Sequence, residues 1–392
     1  MVTSSGIAEA PVWDLERAIG RRCKRWSTYP RDVLDLGVAE MDVSACPPVL
    51  EAVRDAVAAE AFGYPVPDAV SPVPRATTGW LRGQGLEVDE SAIRIVPDVM
   101  RGIGVAIRYL TRPGSPVLVP TPTYSRFLEV VPAAGRECRE IPLLIGPNGC
   151  QLDLDAIEDG LRNGAGSVLL CNPVNPLGAV LERGQLSALA GLADRFGARV
   201  IADEVHAPIR YGVPFVPYAA VSEQSRAHAV TVTSATKAWN VPGLRTAMVA
   251  LTAAGDVEAW GGVRHVETSG ATPLGMVATV AALEHGGPWL VDVVSTLRSR
   301  RQMVYDRLSD AGLDGISQPP DATYFAWLDL RAWDSRTPAA RLLETVGVAL
   351  GEGAQYGAAG AGFVRLNFAT GTAQLARALD LVVEAVRREN AA

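Results

Sequence analysis

Three short apolar runs, each ending in a loop with one residue able to do chemistry, constrain this chain most. Ser167–Cys171 (SVLLC) leads into a loop of turn formers, Asn172–Gly178 (NPVNPLG). Ala198–Ala202 (ARVIA) leads into Asp203-Glu204-Val205-His206. Ala229–Thr233 (AVTVT) is rich in β-branched residues and gives way to Ser234-Ala235-Thr236 and then Lys237. The first two runs are separated by a helical pattern over Gln185–Phe196, and such strand–helix alternation predicts a mostly parallel sheet. Asn175, Asp203 and Lys237 then lie just past the ends of parallel strands, where open α/β sheets bind ligands.

A lysine held beside apolar structure loses part of its preference for the charged form, and a neutral amine condenses with an aldehyde. Ser234, three residues before Lys237, and Arg245, eight after, could grip a phosphate. Pyridoxal phosphate (PLP) needs this set: a lysine for its aldehyde, a carboxylate for its ring nitrogen and a donor for its phenolic oxygen. The carboxylate keeps the ring nitrogen protonated, which makes the ring an electron sink for a carbanion at the substrate Cα.

The rest of the chain supplies a frame. A helix is expected over Pro47–Ala61 and strands over Ser91–Val96 and Pro116–Val119. A helix over Val99–Leu110, capped by Asp98, would offer its N-terminus to a phosphate. Later come helices at Leu274–Leu283, Pro288–Ala311, Pro338–Val346 and Ala373–Arg388, with strands of a separate small sheet at Ala322–Leu330 and Phe363–Phe368. Gly357–Gly362 (GAAGAG) precedes a strand and lacks GxGxxG, so it reads as a mobile glycine loop. At 392 residues the chain exceeds one ordinary core. The expected division is an arm over 1–45, a large domain over 46–286 and a small domain over 287–392.

Composition narrows the partners. A net charge of −7 argues against nucleic acid and anionic membranes, and no apolar stretch nears the ~18 residues of a membrane span. Five scattered cysteines without a CxxC pair, and a start without a signal-peptide pattern, fit a cytoplasmic protein. The four histidines lack metal-ligand spacing, so no metal is expected.

Seven motifs carry a family resemblance: Leu36–Asp42 (LGVAEMD), Gly63–Pro65 (GYP), Pro122–Tyr124 (PTY), NPVNPLG, Asp203–His206 (DEVH), Ser234–Leu244 (SATKAWNVPGL) and Gly362–Thr370 (GFVRLNFAT). In this order they resemble the fold-type I PLP enzymes, the aspartate aminotransferase superfamily, and within it the cystathionine β-lyase (C–S lyase, MalY/PatB-like) branch. The resemblance implies the α/β PLP-dependent transferase fold, with a mostly parallel central sheet between helices and a smaller α+β C-terminal domain. It implies that Lys237 carries PLP as a Schiff base and later takes the Cα proton. Asp203 would pair with the ring nitrogen, Asn175 donate to the phenolic oxygen and Tyr124 stack on the ring. Ser234, Arg245 and the backbone of Val99 and Met100 would hold the phosphate. Tyr64 would reach the neighbouring subunit's phosphate, making a homodimer with shared sites. Arg365 would clamp the substrate carboxylate, with Gly37, Ala39 and Asn175 beside the substrate. His206 stands where aminotransferases carry a ring-polarising tyrosine, either acting directly or packed under the cofactor.

The implied reaction is β-elimination from an S-substituted L-cysteine. The other enzyme readings are an aminotransferase or a decarboxylating oxidative deaminase on a cysteine S-conjugate. A reading from another class is a non-catalytic regulator that binds a transcription factor. Two positions leave the branch pattern. Thr236 replaces a common serine, a mild change. Gly37 replaces a common tryptophan, which predicts an open pocket and a bulkier group on sulfur, unless Trp26, Trp239 or another subunit's residues fill the space.

Overall fold

A computed structural model describes residues 13–146, 149–313 and 316–390. Among these residues the apolar runs pair into a seven-stranded sheet. Its order is Ile93–Val96, Ala247–Leu251, Ala229–Thr233, Arg199–Asp203, Ser167–Cys171, Val117–Thr121, Cys138–Pro142. The sheet is parallel except at Ala247–Leu251, which runs antiparallel to both its neighbours. That strand (AMVAL) is buried throughout, and so are the Ser167 and Ala229 strands. Burial on both faces erases the period-two alternation that separates one strand type from another, so direction was not legible from the residues. Register pairs Cys171 with Asp203 and Asp203 with Val232, which aligns the three strand ends in one row. The amide of Asn172 donates to the Asp203 carbonyl at 3.0 Å and carries the pairing one step past the strand.

The helix Val99–Leu110 begins where the Ile93–Val96 strand stops. Asp98 accepts the Arg101 amide at 2.9 Å, and Ile103 and Ile107 on the helix's inner face are fully buried. Its N-terminus therefore opens at the same sheet edge as Asp203 and Lys237.

A second, antiparallel sheet holds Phe325–Asp329, Phe363–Asn367 and Gly351–Glu352 in that order. Trp327 lies opposite Arg365 and Phe325 opposite Asn367, so these four side chains share one face. Leu34–Asp35 pairs in parallel with Val348–Ala349. The early segment thus joins the C-terminal layer, and its Leu36, Met41 and Val43 pack in one core with Leu366, Phe368 and Leu379.

The glycine segment expected to be mobile is instead pinned. The Thr123 amide donates to the Tyr356 carbonyl at 2.8 Å and the Ala358 amide to Glu140 Oε2 at 3.0 Å. Gly357 has φ +119°, and a Cβ there would lie 2.8 Å from that of Thr121. The glycines permit close approach to the Val117–Thr121 strand rather than motion.

One buried cation fastens the N-terminal segment. Arg25 donates to the carbonyls of Asp35 (2.8 Å), Glu40 (3.0 Å) and Ala369 (3.1 Å), and its Nη1 lies 3.4 Å from Asp42. Asp42 in turn accepts from Trp26 Nε1 at 2.8 Å and the Thr370 hydroxyl at 2.6 Å. Removing one partner of a buried pair strands the other charge. Arg25→Met should therefore cost about 3 kcal/mol of stability, read as a lower urea midpoint with an unchanged denaturant slope.

Candidate active site

The row of strand ends opens on a cavity of about 680 Å³. Its lining includes Asn175, Asp203, His206, Ser234 and Lys237 from the loops after the three central strands. Tyr124, Ala39 and Arg245 complete the wall, with Val99 and Met100 at the helix N-terminus.

Ser234 sets the turn that aims Lys237. Its hydroxyl donates to the Thr246 carbonyl at 2.6 Å and accepts from the Thr236 amide at 3.1 Å. Lys237 is half-buried, and its Nζ reaches the Ala39 carbonyl only at 3.4 Å. Burial, followed by the nearby Arg365 charge, depresses its pKa to about 8, against the pull of Glu40 and Asp203. The chain has one other lysine, Lys24, and it is exposed. Asp203 is 4% exposed and accepts the Val205 amide at 3.0 Å. Burial raises its pKa to about 7.

Arg365 is buried, and no carboxylate among the described residues pairs with it. Its Nη1 donates to Asn175 Oδ1 at 3.0 Å and its Nη2 to the Gly37 carbonyl at 2.7 Å. The guanidinium lies 4.0 Å from the Phe325 ring centre and 5.0 Å from that of Tyr356. Its Nε has no hydrogen-bond partner among the described residues. The bond to Asn175 Oδ1 leaves the amide's NH2 as the remaining donor.

His206 is buried edge-on to Tyr324 and Phe325, and its Nδ1 has no partner among the described residues. Burial, then the Lys237 and Arg365 charges, push its pKa well down, so the ring is neutral. Tyr124 forms part of the wall, and burial raises its phenol's pKa. At the helix end, Arg245 has the left-handed φ of +46° and pairs with Asp98 at 2.8 Å. An incoming phosphate would exchange with that carboxylate.

Two expected site residues lie off this cavity, Tyr64, assigned to a neighbouring subunit's site, and Gly37. Tyr64 is fully exposed and lines another cavity of about 1010 Å³, with Trp260 and His265. Within this chain it does not meet Lys237. Gly37 contributes its carbonyl to Arg365, but the open pocket expected from its missing side chain is absent. A Cβ there would point at the Leu350–Gly351 backbone, 3.2 Å from the Leu350 carbonyl carbon. The glycine is accounted for by close chain packing. Trp26 and Trp239 are committed elsewhere, to Asp42 and to the Gly286 carbonyl.

Several contributors were not singled out in the sequence. Asn240 exchanges two hydrogen bonds with the Met41 backbone, at 2.9 and 2.7 Å. Asn367 donates to the Val38 and Glu40 carbonyls at 2.6 and 2.7 Å. Together they lock the LGVAEMD segment over Lys237. Asn367 lies two residues from Arg365 on one strand, a period-two relation that would have flagged it.

The donor set fits PLP. The cavity holds one amine of lowered pKa, one buried acid, one amide donor and a helix N-terminus for an anion, and the neutral His206 has a nitrogen to spare. Among the described residues there is no cluster of His, Cys, Asp or Glu that could hold a metal, and no helix long and apolar enough to cross a membrane.

Comparison with known proteins agrees with this geometry. The aminotransferase class I and II family matches residues 31–382. The cystathionine β-lyase of Corynebacterium glutamicum is 36% identical over 360 residues, covering 91% of this chain and 94% of that protein. The cystathionine β-lyase PatB of Bacillus subtilis is 28% identical, covering 90% and 93%. A solved structure from Corynebacterium diphtheriae, provisionally described as a PLP-dependent β-cystathionase, superposes with a TM-score of 0.89 at 36% identity. It covers 95% of this chain and 98% of its own.

The raised pKa of Asp203 has a testable sign. In the cofactor-free protein the folded-state pKa of about 7 exceeds the ordinary 3.8, so folding takes up a proton. The contribution of Asp203 is then fully present below about pH 4 and lost as the pH rises through about 7. Asp203→Asn should stabilise the cofactor-free protein by roughly 2 kcal/mol at pH 8 and not at pH 4, by urea melts, while weakening PLP binding.

Proposed function

The chain belongs to the aminotransferase class I and II family and to its cystathionine β-lyase branch, and on that premise we propose that it is a PLP-dependent C–S lyase. It cleaves an S-substituted L-cysteine by β-elimination: the Cα–H and Cβ–S bonds break, a thiol leaves, and water converts the remainder to pyruvate and ammonia. The observation that carries this reading is the cavity joining Lys237, Asp203 and Asn175, with Arg365 hydrogen-bonded to Asn175 behind it.

Each residue's part follows from its surroundings. Lys237 and Asp203 would hold PLP at its aldehyde and ring nitrogen, with Ser234, Arg245 and the Val99–Met100 amides at its phosphate. When bound, PLP supplies an electron sink that acidifies the substrate Cα–H. Arg365 is held in plane by Asn175, the Gly37 carbonyl and the Phe325 ring, so it presents a fixed fork to the substrate carboxylate. Lys237, with a pKa of about 8, is a competent base for the Cα proton near neutral pH and can return a proton to the departing thiolate. Tyr124 covers one face of the cavity and limits water there.

The site is completed by a second copy of the chain. Support comes from Tyr64, which stands fully exposed beside Phe62 (65% exposed) and Val66 (50%) and away from its own chain's Lys237. Light scattering should give about twice the 41.4 kDa chain mass; a fully active monomer would refute the shared site. The unpaired cysteines support a reducing, cytoplasmic setting.

The function is tested by incubating PLP-loaded protein with S-ethyl-L-cysteine and measuring thiol, pyruvate, keto acid and CO2. Thiol and pyruvate should form in equal amounts, and Lys237→Ala should form neither. Arg365→Lys should lower kcat/KM by roughly a hundredfold, because a point charge replaces a bidentate fork. Keto acid retaining the sulfur, or CO2, as the main product would refute the elimination.

A further inference from the structure

Every backbone carbonyl from Gly37 to Met41 accepts a side-chain donor. Arg365 meets that of Gly37, Asn367 those of Val38 and Glu40, and Asn240 that of Met41. The Ala39 carbonyl accepts from Lys237 Nζ at 3.4 Å and also from the Tyr324 hydroxyl at 3.2 Å. A carbonyl oxygen has two lone pairs, so amine and phenol divide this one between them. Ala39 lines the Lys237 cavity and Tyr324, 1% exposed, does not. The phenol therefore reaches Lys237 through the Ala39 carbonyl.

Backbone strain aims this phenol. Thr323, just before it, is fully buried with φ +67°, a left-handed conformation that β-branched residues rarely adopt. Its surroundings hold it there. Its amide donates to the Ile209 carbonyl at 3.0 Å, its carbonyl accepts the Tyr211 hydroxyl, and its hydroxyl accepts the Phe325 amide at 3.2 Å. Tyr324 then lies edge-on to His206 and Phe325, with ring centres 5.7 and 4.6 Å away. A buried phenol needs an acceptor, but that need alone does not call for a strained backbone.

We propose that Tyr324 is a positioning residue for Lys237: its hydroxyl occupies one lone pair of the Ala39 carbonyl, which fixes the direction of that carbonyl and weakens its hold on the Lys237 amine. Two donors on one oxygen draw on the same electron density, so each bond is weaker than it would be alone. An ammonium gains more from an acceptor than a neutral amine does, so the competition favours the neutral form that can take a proton. Burial pushes the Tyr324 phenol well above its ordinary range, so it stays an uncharged donor. The charges facing Lys237 from other elements are Arg365, Glu40 and Asp203, with the neutral His206 nearby. The inference rests on Lys237 as the base of the C–S lyase reading and adds the group that tunes it.

The chain has two lysines, so the exposed Lys24 serves as an internal reference. Trace acetylation of the full chain freed of PLP, read peptide by peptide across a pH series, gives the midpoint at which Lys237 becomes reactive. In Tyr324→Phe that midpoint should rise by roughly 0.5 pH unit, the scale of a change in one hydrogen bond, while that of Lys24 stays in place. Tyr218→Phe is the control, because Tyr218 is equally buried but its hydroxyl meets His228 at 2.8 Å. It should lower the urea midpoint without moving the Lys237 midpoint. In the PLP-loaded protein acting on S-ethyl-L-cysteine, Tyr324→Phe should lower kcat about threefold near neutral pH and recover at higher pH, with KM changed by less than about twofold. An unmoved or lowered Lys237 midpoint in Tyr324→Phe, or an equal rise in Tyr218→Phe, would overturn the proposal, since the phenol would then not compete with the amine for Ala39. Failure of the lyase reading would show differently, as no thiol from the unaltered protein, and would leave the labelling midpoints as they stand.

Discussion

The guanidinium of Arg365 is a buried charge with no carboxylate among the described residues to neutralise it, and the site is arranged around that fact. Two carbonyl oxygens, from Asn175 and Gly37, and the faces of Phe325 and Tyr356 stand in for the missing anion. These groups come from three distant stretches of chain, so one side chain ties the early segment, the central sheet and the C-terminal sheet together. The compensation is incomplete, since Nε has no partner among the described residues. The surplus positive potential is felt nearby: Arg365 helps lower the pKa of both Lys237 and His206. In the proposed reaction a substrate carboxylate would supply the missing charge, so binding energy and orientation would come from the same contact.

Asp203 balances this on the other side of the cavity. Burial at a strand end raises the pKa of this acid to about 7 in the protein alone. A cationic ring nitrogen would relieve that cost, as a substrate carboxylate would relieve the cost at Arg365. The cavity is thus unfavourable to itself in two complementary ways, and a ligand with an acid at one end and a protonated ring at the other would correct both. Holding such a site requires rigid surroundings. Asn240 and Asn367 lock the LGVAEMD backbone over Lys237, and Arg25 with Asp42 anchors the same segment from behind.

Much of this was legible in the residues. Asn175, Asp203 and Lys237 were found because each follows an apolar run bounded by turn formers, and a parallel sheet brings such ends to one edge. The capping of Val99–Leu110 by Asp98 was local in the same sense, since a cap concerns residues three apart. Gly37 shows where local reading fails. A missing tryptophan suggests a vacancy only if the Cβ direction points into the cavity, and that direction depends on Leu350, more than three hundred residues away. The glycine segment at 357–362 likewise suggested freedom, whereas its small size serves close contact with Thr121 and Glu140.

The sequence by itself determined which chemical groups stand at the strand ends and the order in which they occur, because strand periodicity, turn residues and caps act over a few neighbours. The tertiary structure alone decided how those groups modify one another. The lowered pKa of Lys237 and the neutral His206 arise from burial and from charges distant in the chain, and the raised pKa of Asp203 arises from burial against the pull of Lys237. Electrostatic coupling and packing depend on distance in space, and no short-range pattern encodes that distance.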